Sequence, residues 1–354
     1  MASIMRFNTK CLRYEERSDK VLFSRKLQIL KGVFFMKRLV SLFLVLMMML
    51  AVGAFAEQPA EVDYSVLKGI TVGFAQMDNN NSWRIAETKS MEDAAAKYGF
   101  NIIVTDAMAD MAKQASDISD LVAQGIDYLV FPPQQVEGLQ GAVKEAMDAG
   151  IPVILIDRTM NGTPGVDWTT EIMSDFYLEA QELAEYVIEQ TGGKGNIVIL
   201  QGTAGADSTI QRQAGFVDTI KAKAPEMEIV FDQVADYLMD KGQQVMELAL
   251  QAHKDDIQVV FAHNDDMALG AVKAIEQAGY DPAKFGVVGI DGPAAALQAV
   301  KDGKMLASMT CTPLFGEPVA KILVDLIKGN PVEPKMVNPD ILYTKENADP
   351  ALGY

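Results

Sequence analysis

The sequence predicts an α/β protein made of two similar doubly wound parallel-sheet lobes, and three observations predict it. From Leu67 onward, short apolar runs alternate with helical patterns of moderate length. Most of these runs are apolar at every position, which marks strands covered on both faces and hence a parallel sheet. After a polar stretch at 159–171 the alternation starts again at "GGKGNIVIL" (192–200), as a second lobe would. Strands that alternate with helices in this way are joined by right-handed crossovers.

The first four strands are expected in "ITVGFAQ" (70–76), "NIIVTDA" (101–107), "DYLVFPP" (127–133) and "PVILIDR" (152–158). Five more follow the restart: "NIVILQG" (196–202), "EIVFDQV" (228–234), "QVVFAHN" (258–264), "VVGIDG" (287–292) and "LASMTCT" (306–312). Helices are expected over Trp83–Tyr98, Met111–Ala123, Leu139–Ala149, Ser174–Gln190 and Lys241–Gln251, with another beginning at Met267. Several stop at a glycine just before the next strand, in "KYGF", "AQGI", "DAGI" and "QAGY", where a left-handed residue ends the helix. The last helix, within "CTPLFGEPVAKILVDLIKGNP", is bounded by Pro and Gly and placed to return to the first lobe.

The N-terminal part stands outside this pattern. "MKRLVSLFLVLMMMLAVGAFA" (36–56) has a basic head, a long apolar run and an Ala-Phe-Ala ending, the layout of a secretory signal peptide cleaved before Glu57. The rival reading is a retained anchor, since the run approaches the length of a membrane span. No cysteine follows the run for lipid attachment. With Met36 as the start, residues 1–35 are an extension upstream of it.

Charge and cysteines narrow the function. The chain carries a formal charge of −17, and residues 1–56 hold ten of its basic and only three of its acidic side chains, so the remainder is more acidic still. Such a surface repels phosphate backbones and argues against nucleic acid as a partner. Beyond the signal segment Cys311 stands alone, so no internal disulfide forms there, and it reads as a buried structural thiol. No nucleophile elbow, zinc-protease or phosphate-loop motif occurs, and "GTAGAD" (202–207) departs from the dinucleotide fingerprint. Neither a Cys/His cluster nor calcium-loop spacing is present, so no metal and no cofactor is expected.

Ligands of open parallel sheets bind beyond the carboxyl ends of the strands. Here those ends carry Gln76, Asp106, Gln134, Asp157-Arg158, Gln201, Asp236, His263-Asn264 and Asp291. Any one of them could simply cap the next helix. "LIDRT" nevertheless sets an acid and a base side by side with no helix to cap, and "GIDG" sets Asp291 between glycines. Carboxylates, amides and guanidinium forks suit vicinal hydroxyls. Trp83, with Arg84 beside it, offers either a face for a sugar ring or core packing.

Longer stretches carry a family likeness: "SWRIAET" (82–88), "VAQGIDYLVFPP" (122–133), "LIDRT" (155–159), "ILQGTAGADSTIQRQAGF" (199–216), "FAHNDDMALGA" (261–271) and "IDG" (290–292). Over about 67–344 the chain resembles the ribose-type (type 1) periplasmic sugar-binding proteins of ABC importers, and among them the galactofuranose binders. That resemblance implies two lobes joined by a three-strand hinge, with crossings near 173–174, 309–312 and 337–341. The N-terminal lobe would take 57–173 with 312–338, and the C-terminal lobe 174–311 with 339–354. It also implies a monomeric, non-enzymatic periplasmic protein that closes on a monosaccharide and delivers it to membrane permease subunits.

Carried over residue by residue, the ring-holding groups would be Trp83, Arg84, Asp157, Arg158, Arg212, Asn264 and Asp291. Arg212, in "TIQRQAGF", comes from the resemblance alone. Asn264 is expected to bond ring hydroxyls, with Asp265 or Asp266 capping the following helix. Where ribose binders have paired phenylalanines this chain has Ser82-Trp83-Arg84, and where they have a glutamine it has Cys311. Both departures argue against ribose, while three arginines suit a furanose with an exposed side chain or an acidic sugar. Rival readings are a sensory binding protein for a chemoreceptor or kinase, a LacI-type effector domain, and an exported glycosidase or isomerase.

Overall fold

Each expected strand run forms a strand, and alternate residues of a strand point to opposite helical layers. The computed structural model describes residues 62–253 and 256–354, and Val62–Tyr354 form one compact unit. The expected signal peptide and the extension before it lie outside the described residues.

The first sheet contains β1 (Thr71–Gln76), β2 (Asn101–Asp106), β3 (Tyr128–Phe131), β4 (Val153–Ile156), β5 (Thr170–Met173) and β11 (Lys335–Val337). Its order is β11-β5-β4-β3-β1-β2, and every pairing is parallel. The second sheet contains β6 (Gly195–Gln201), β7 (Met227–Val234), β8 (Val259–Ala262), β9 (Val287–Asp291), β10 (Ala307–Thr310) and β12 (Leu342–Thr344). Its order is β12-β10-β9-β8-β6-β7, with β12 alone antiparallel.

Helices cover both faces of each sheet. In the first lobe these are α1 (Ser82–Tyr98), α2 (Met111–Ala123) and α3 (Gln140–Asp148). The second lobe has α4 (Phe176–Thr191), α5 (Asp207–Lys223), α6 (Met239–His253), α7 (Asp265–Gln277) and α8 (Ala294–Lys301). The last helix, α9 (Gly316–Lys328), returns to pack on α1. Phe74, Val130, Ile154 and Ile156 face one core, while Ala75, Leu129, Phe131, Val153 and Leu155 face another beneath α2 and α3. In the second lobe Ile197, Ile199, Val259 and Phe261 face the α4–α5 side, and Val198, Leu200, Val260 and Ala262 the α6–α7 side. Two buried faces explain why the runs are apolar throughout.

Three short strands escape the sequence reading. β5 lies where a loop was expected, while β11 and β12 are three residues each. Such strands are too short and too mixed in polarity to show a period. The chain passes between the sheets three times: from β5 to α4, from β10 to α9, and from β11 to β12. Several expected strands also stop early. "QVVFAHN" is strand only over Val259–Ala262; of its polar tail, Asn264 lines the space between the lobes, while the His263 ring turns to Gly202 and Gln213 of its own lobe. Among the described residues no helix is long and apolar enough to cross a membrane.

Candidate functional site

The carboxyl ends of β4, β8 and β9 face the N-termini of α1 and α5 across one pocket. It is lined by Asn81, Trp83, Arg84, Asp157, Arg158, Ser208, Arg212, Tyr237, Asn264, Asp291 and Cys311, with about 290 Å³ of empty space. All seven residues singled out from the sequence are among them.

On the first-lobe side, Asn81 caps α1 by accepting from the Arg84 backbone N–H at 2.9 Å, which fixes the start of the helix. Trp83 donates its indole N–H to the Cys311 carbonyl at 2.7 Å and lies 6.2 Å from the Phe315 ring, so it packs in the core and lines the pocket at once. Arg84 pairs with Glu87 at 2.8 Å and with Asp157. Asp157 holds a left-handed backbone, φ 61°, that turns its carboxylate back toward Arg84. Arg158 gives an N–H to the Gln134 carbonyl at 3.3 Å, and its guanidinium lies 5.3 Å from the centre of the Tyr237 ring in the other lobe.

On the second-lobe side, Arg212 donates to Glu179 at 2.9 Å and to the His263 carbonyl at 2.7 Å, and lies 3.7 Å from Asp291. Gly215 makes this possible. A side chain there would strike the Tyr177 carbonyl of α4, so only glycine lets α4 and α5 approach closely enough. Asp291 sits at φ 133°, a conformation that L residues rarely adopt, at the end of β9.

Asn264 corrects one expectation. It caps α7 itself, accepting from Met267 N at 3.0 Å and donating to the Tyr237 carbonyl at 3.3 Å. The helix begins at Asp265 rather than Met267, and neither aspartate is its cap. Asp265 accepts from Ser308 Oγ at 2.5 Å and Gly292 N at 2.8 Å, while Asp266 reaches across to Ser82. Asn264 still faces the pocket.

Other strand ends do the ordinary work of loops. Asp106 accepts from Met108 N, Gln134 bonds the Ala109 carbonyl, Gln201 bonds Asp232, and Asp236 pairs with Lys241. Gln76 stands behind the wall, donating to Glu87 at 2.9 Å. The sequence reading missed Tyr237, Ser208 and Asn81. Tyr237 follows Asp236 directly, and its hydroxyl meets Ser208 Oγ at 2.8 Å and Thr209 Oγ1 at 2.9 Å. Its ring fills the space over Gly202, where any side chain would collide with it. An aromatic one residue past a flagged strand end was the available signal.

Residues 72–331 match the family model described as the periplasmic binding protein domain. The chain belongs to this family. The galactofuranose-binding protein YtfQ of Escherichia coli (strain K12) is 34% identical over 284 residues, covering 79% of this chain and 89% of that protein. The ribose import binding protein RbsB of Bacillus subtilis (strain 168) is 34% identical over 315 residues, covering 88% of this chain and all of that protein, 100%. A crystal structure from Mycobacterium smegmatis in complex with β-D-fucofuranose is 38% identical, with a TM-score of 0.76, covering 80% of this chain and 94% of that one.

Electrostatically, the site of this periplasmic binding protein is a set of buried ion pairs. Burial works against the charge of Arg84, but Asp157 and Glu87 outweigh it and hold the guanidinium protonated. Arg212 is raised in the same way, against burial, chiefly by Glu179. Burial pushes Glu87, Glu179 and Asp265 up to about 7, although each has a neighbour that opposes the shift. It also pushes His263 down to about 3, so that imidazole is neutral. The Cys311 thiol is buried and raised well above its ordinary value by burial and then by Glu179, which disfavours a thiolate. Among the described residues no group of three or more His, Cys, Asp and Glu is placed to hold a metal ion.

Proposed function

We propose that this chain is an exported solute-binding protein that captures a monosaccharide in furanose form between its lobes and delivers it to the permease subunits of an ABC importer. The observation that carries this reading is the pocket itself. Donor forks, carboxylates and an amide from both lobes converge on one small polar pocket, as the few placed polar groups of a ligand site do. Arginines donate to hydroxyl oxygens while Asp157 and Asp291 accept from hydroxyl protons, which suits vicinal diols. Trp83 and Tyr237 add aromatic faces for the C–H side of a ring.

Trp83, Arg84, Asp157, Arg158, Arg212, Asn264 and Asp291 are the proposed ligand-holding residues, and Tyr237 joins them. Two of the similar proteins named above are described with five-membered-ring sugars, which supports a furanose. The moving bodies are proposed as 57–173 with 312–338, and 174–311 with 339–354, turning about the three crossings. Closure around the sugar is the functional event, and no bond is made or broken. Export through the 36–56 segment and action as a monomer complete the reading.

Titration calorimetry and thermal shift on the purified protein test it, with D-galactose, D-fucose, L-arabinose, D-ribose and methyl β-D-galactofuranoside as probes. A ligand at a hundredfold excess over its dissociation constant stabilises by about 2.7 kcal/mol. We expect at least one furanose-forming sugar to raise the melting temperature, and Asp291→Ala and Asn264→Ala to abolish the rise. Silence across the panel would overturn the reading.

A further inference from the structure

Two buried carboxylates stand behind the pocket wall and have no part in holding a ring. Glu87 on α1 accepts from Arg84 at 2.8 Å and from Gln76 at 2.9 Å through Oε2. Glu179 on α4 accepts from Arg212 at 2.9 Å, also through Oε2. Neither lines the pocket, and in each the second oxygen, Oε1, is buried with no hydrogen-bond partner. Burying such groups is costly. Orientation alone does not require it: Asp157 also holds Arg84, and the His263 carbonyl and Asp291 also hold Arg212.

What the glutamates add is charge. Three arginines and two aspartates line the pocket, so with its carboxylates ionised the lining has one positive charge in excess. When ionised, Glu87 and Glu179 offset that excess from behind the wall, and each lobe supplies one of the pair. We infer that Glu87 and Glu179 set the charge selectivity of the pocket: acting through Arg84 and Arg212, they make an arginine-rich site accept a neutral sugar and refuse one bearing a carboxylate. The inference rests on the sugar-binding reading and reverses the acidic-sugar option that the arginines suggest in the sequence.

Acid should relax the refusal, because both glutamates take up a proton near 7. Glu87 faces Arg84 and Asp157, with Asp78 also near Arg84. Around Glu179 stand Arg212, Asp340 and Cys311, together with Asp291 and the neutral His263 that border Arg212. Burial raises Asp291 and Asp340 as well, so glutamate variants are needed to identify the titrating groups.

The test is calorimetry on the purified protein with D-galactose and L-arabinose as neutral probes and D-galacturonate as the acidic one. At pH 8 the natural protein should bind a neutral sugar and discriminate against galacturonate. Glu87→Gln and Glu179→Gln should each shift the galacturonate-to-neutral ratio by roughly tenfold or more toward the acid, the order expected when a unit charge within about 8 Å is removed at an effective dielectric near 20. Between pH 8 and 5.5 the ratio should shift the same way in the natural protein and stay flat in the double variant. A parallel loss of both affinities, or a double variant that keeps the pH trend, would assign the glutamates a merely structural role and overturn the inference. So would a natural protein that binds galacturonate as well as the neutral sugars. If neither of these binds, the sugar of the wider panel that does bind serves as the neutral probe; if none does, the sugar-binding reading fails first and the inference falls with it. Melting curves of the variants, and the pH series on the natural protein, keep the result independent of a folding defect.

Discussion

Arg84 in the first lobe and Arg212 in the second both sit between a glutamate and an aspartate, yet they are held by different parts of the fold. Glu87 is three residues beyond Arg84 on the same helix, so that pair forms when α1 forms. Glu179 lies on α4, and its pair with Arg212 forms only when α4 and α5 pack at Gly215. Neighbours differ too. Asp157 keeps Arg158 as a second cation at 3.4 Å, whereas the only arginine within pairing distance of Asp291 among the described residues is Arg212, at 3.7 Å. The first-lobe triad has one local pair, Arg84–Glu87, and a second cation at Asp157, while the second-lobe triad is tertiary throughout and depends on one guanidinium.

The largest expected effect follows from that difference. Removing one partner of a buried ion pair typically costs about 3–5 kcal/mol, because the remaining charge is left uncompensated. Arg212→Ala strands Glu179 and Asp291 and leaves the His263 carbonyl without its donor. Arg84→Ala leaves Asp157 beside Arg158 and Glu87 bonded to Gln76. Urea denaturation should therefore show Arg212→Ala as the more destabilising change, near the upper end of that range, and Arg84→Ala nearer the lower end. The reverse order would break the comparison.

A smaller effect, in pH, sharpens it. An acid whose pKa is raised in the folded state binds more protons folded than unfolded, so stability falls as pH rises between the two values. Glu87 in the first lobe and Glu179 and Asp265 in the second all follow this rule, up to about 7. His263 acts oppositely: lowered to about 3 from 6.5, it favours the folded state increasingly as pH rises through that interval. Above 6.5 only the acids remain, and below it they outnumber the histidine. Melting temperature should be higher at pH 5.5 than at 7.5, and Glu87→Gln or Glu179→Gln should each flatten the decline. Because His263 partly cancels the acids of its own lobe, losing Glu87 should alter the first lobe's share more simply. A melting temperature that climbs steadily to pH 8 would show these carboxylates fully ionised in the fold.

How much of this could be read beforehand depends on the length of the signal. Nine strands were legible because sheets covered on both faces need unbroken apolar runs, while β5, as long as β3 and β4, is too mixed in polarity, and β11 and β12 are only three residues each. Asp157 and Asp291 were legible as sites because no cap explains them. Both hold left-handed backbones and both line the pocket, so the outliers lie at the candidate site. Asn264 was legible as a position but not as a cap, since three polar residues in a row compete for that duty and only the start of α7 decides among them. Arg212 has no local signal: its place depends on α5 meeting α4, a long-range contact. Glu87 and Glu179 look like ordinary helix-surface residues in the sequence and are buried only because each lobe closes over an arginine.

The smallest expected effect concerns what joins the two lobes away from the hinge. Asp266 at the start of α7 accepts from Ser82 Oγ at 3.0 Å and Ser82 N at 3.3 Å at the start of α1. Nearby, Val136 N donates to the Gly205 carbonyl and Gln135 Nε2 to the Ala204 carbonyl, both at 3.1 Å. These contacts exist only while the lobes are together. Removing one therefore acts on the closed state and leaves each lobe's own core untouched. A net hydrogen bond is worth about 0.5–1.5 kcal/mol, and a charged acceptor somewhat more. By the logic of population shift, a ligand that needs the closed state then binds more weakly by the same free energy. Asp266→Ala should weaken sugar affinity several-fold while changing the urea midpoint of the unliganded protein little, and because closure stabilises the complex after encounter, the loss should appear as faster dissociation rather than slower association. If affinity and midpoint fell together, Asp266 would belong to the second lobe's core, and the contact with Ser82 would be incidental to closure.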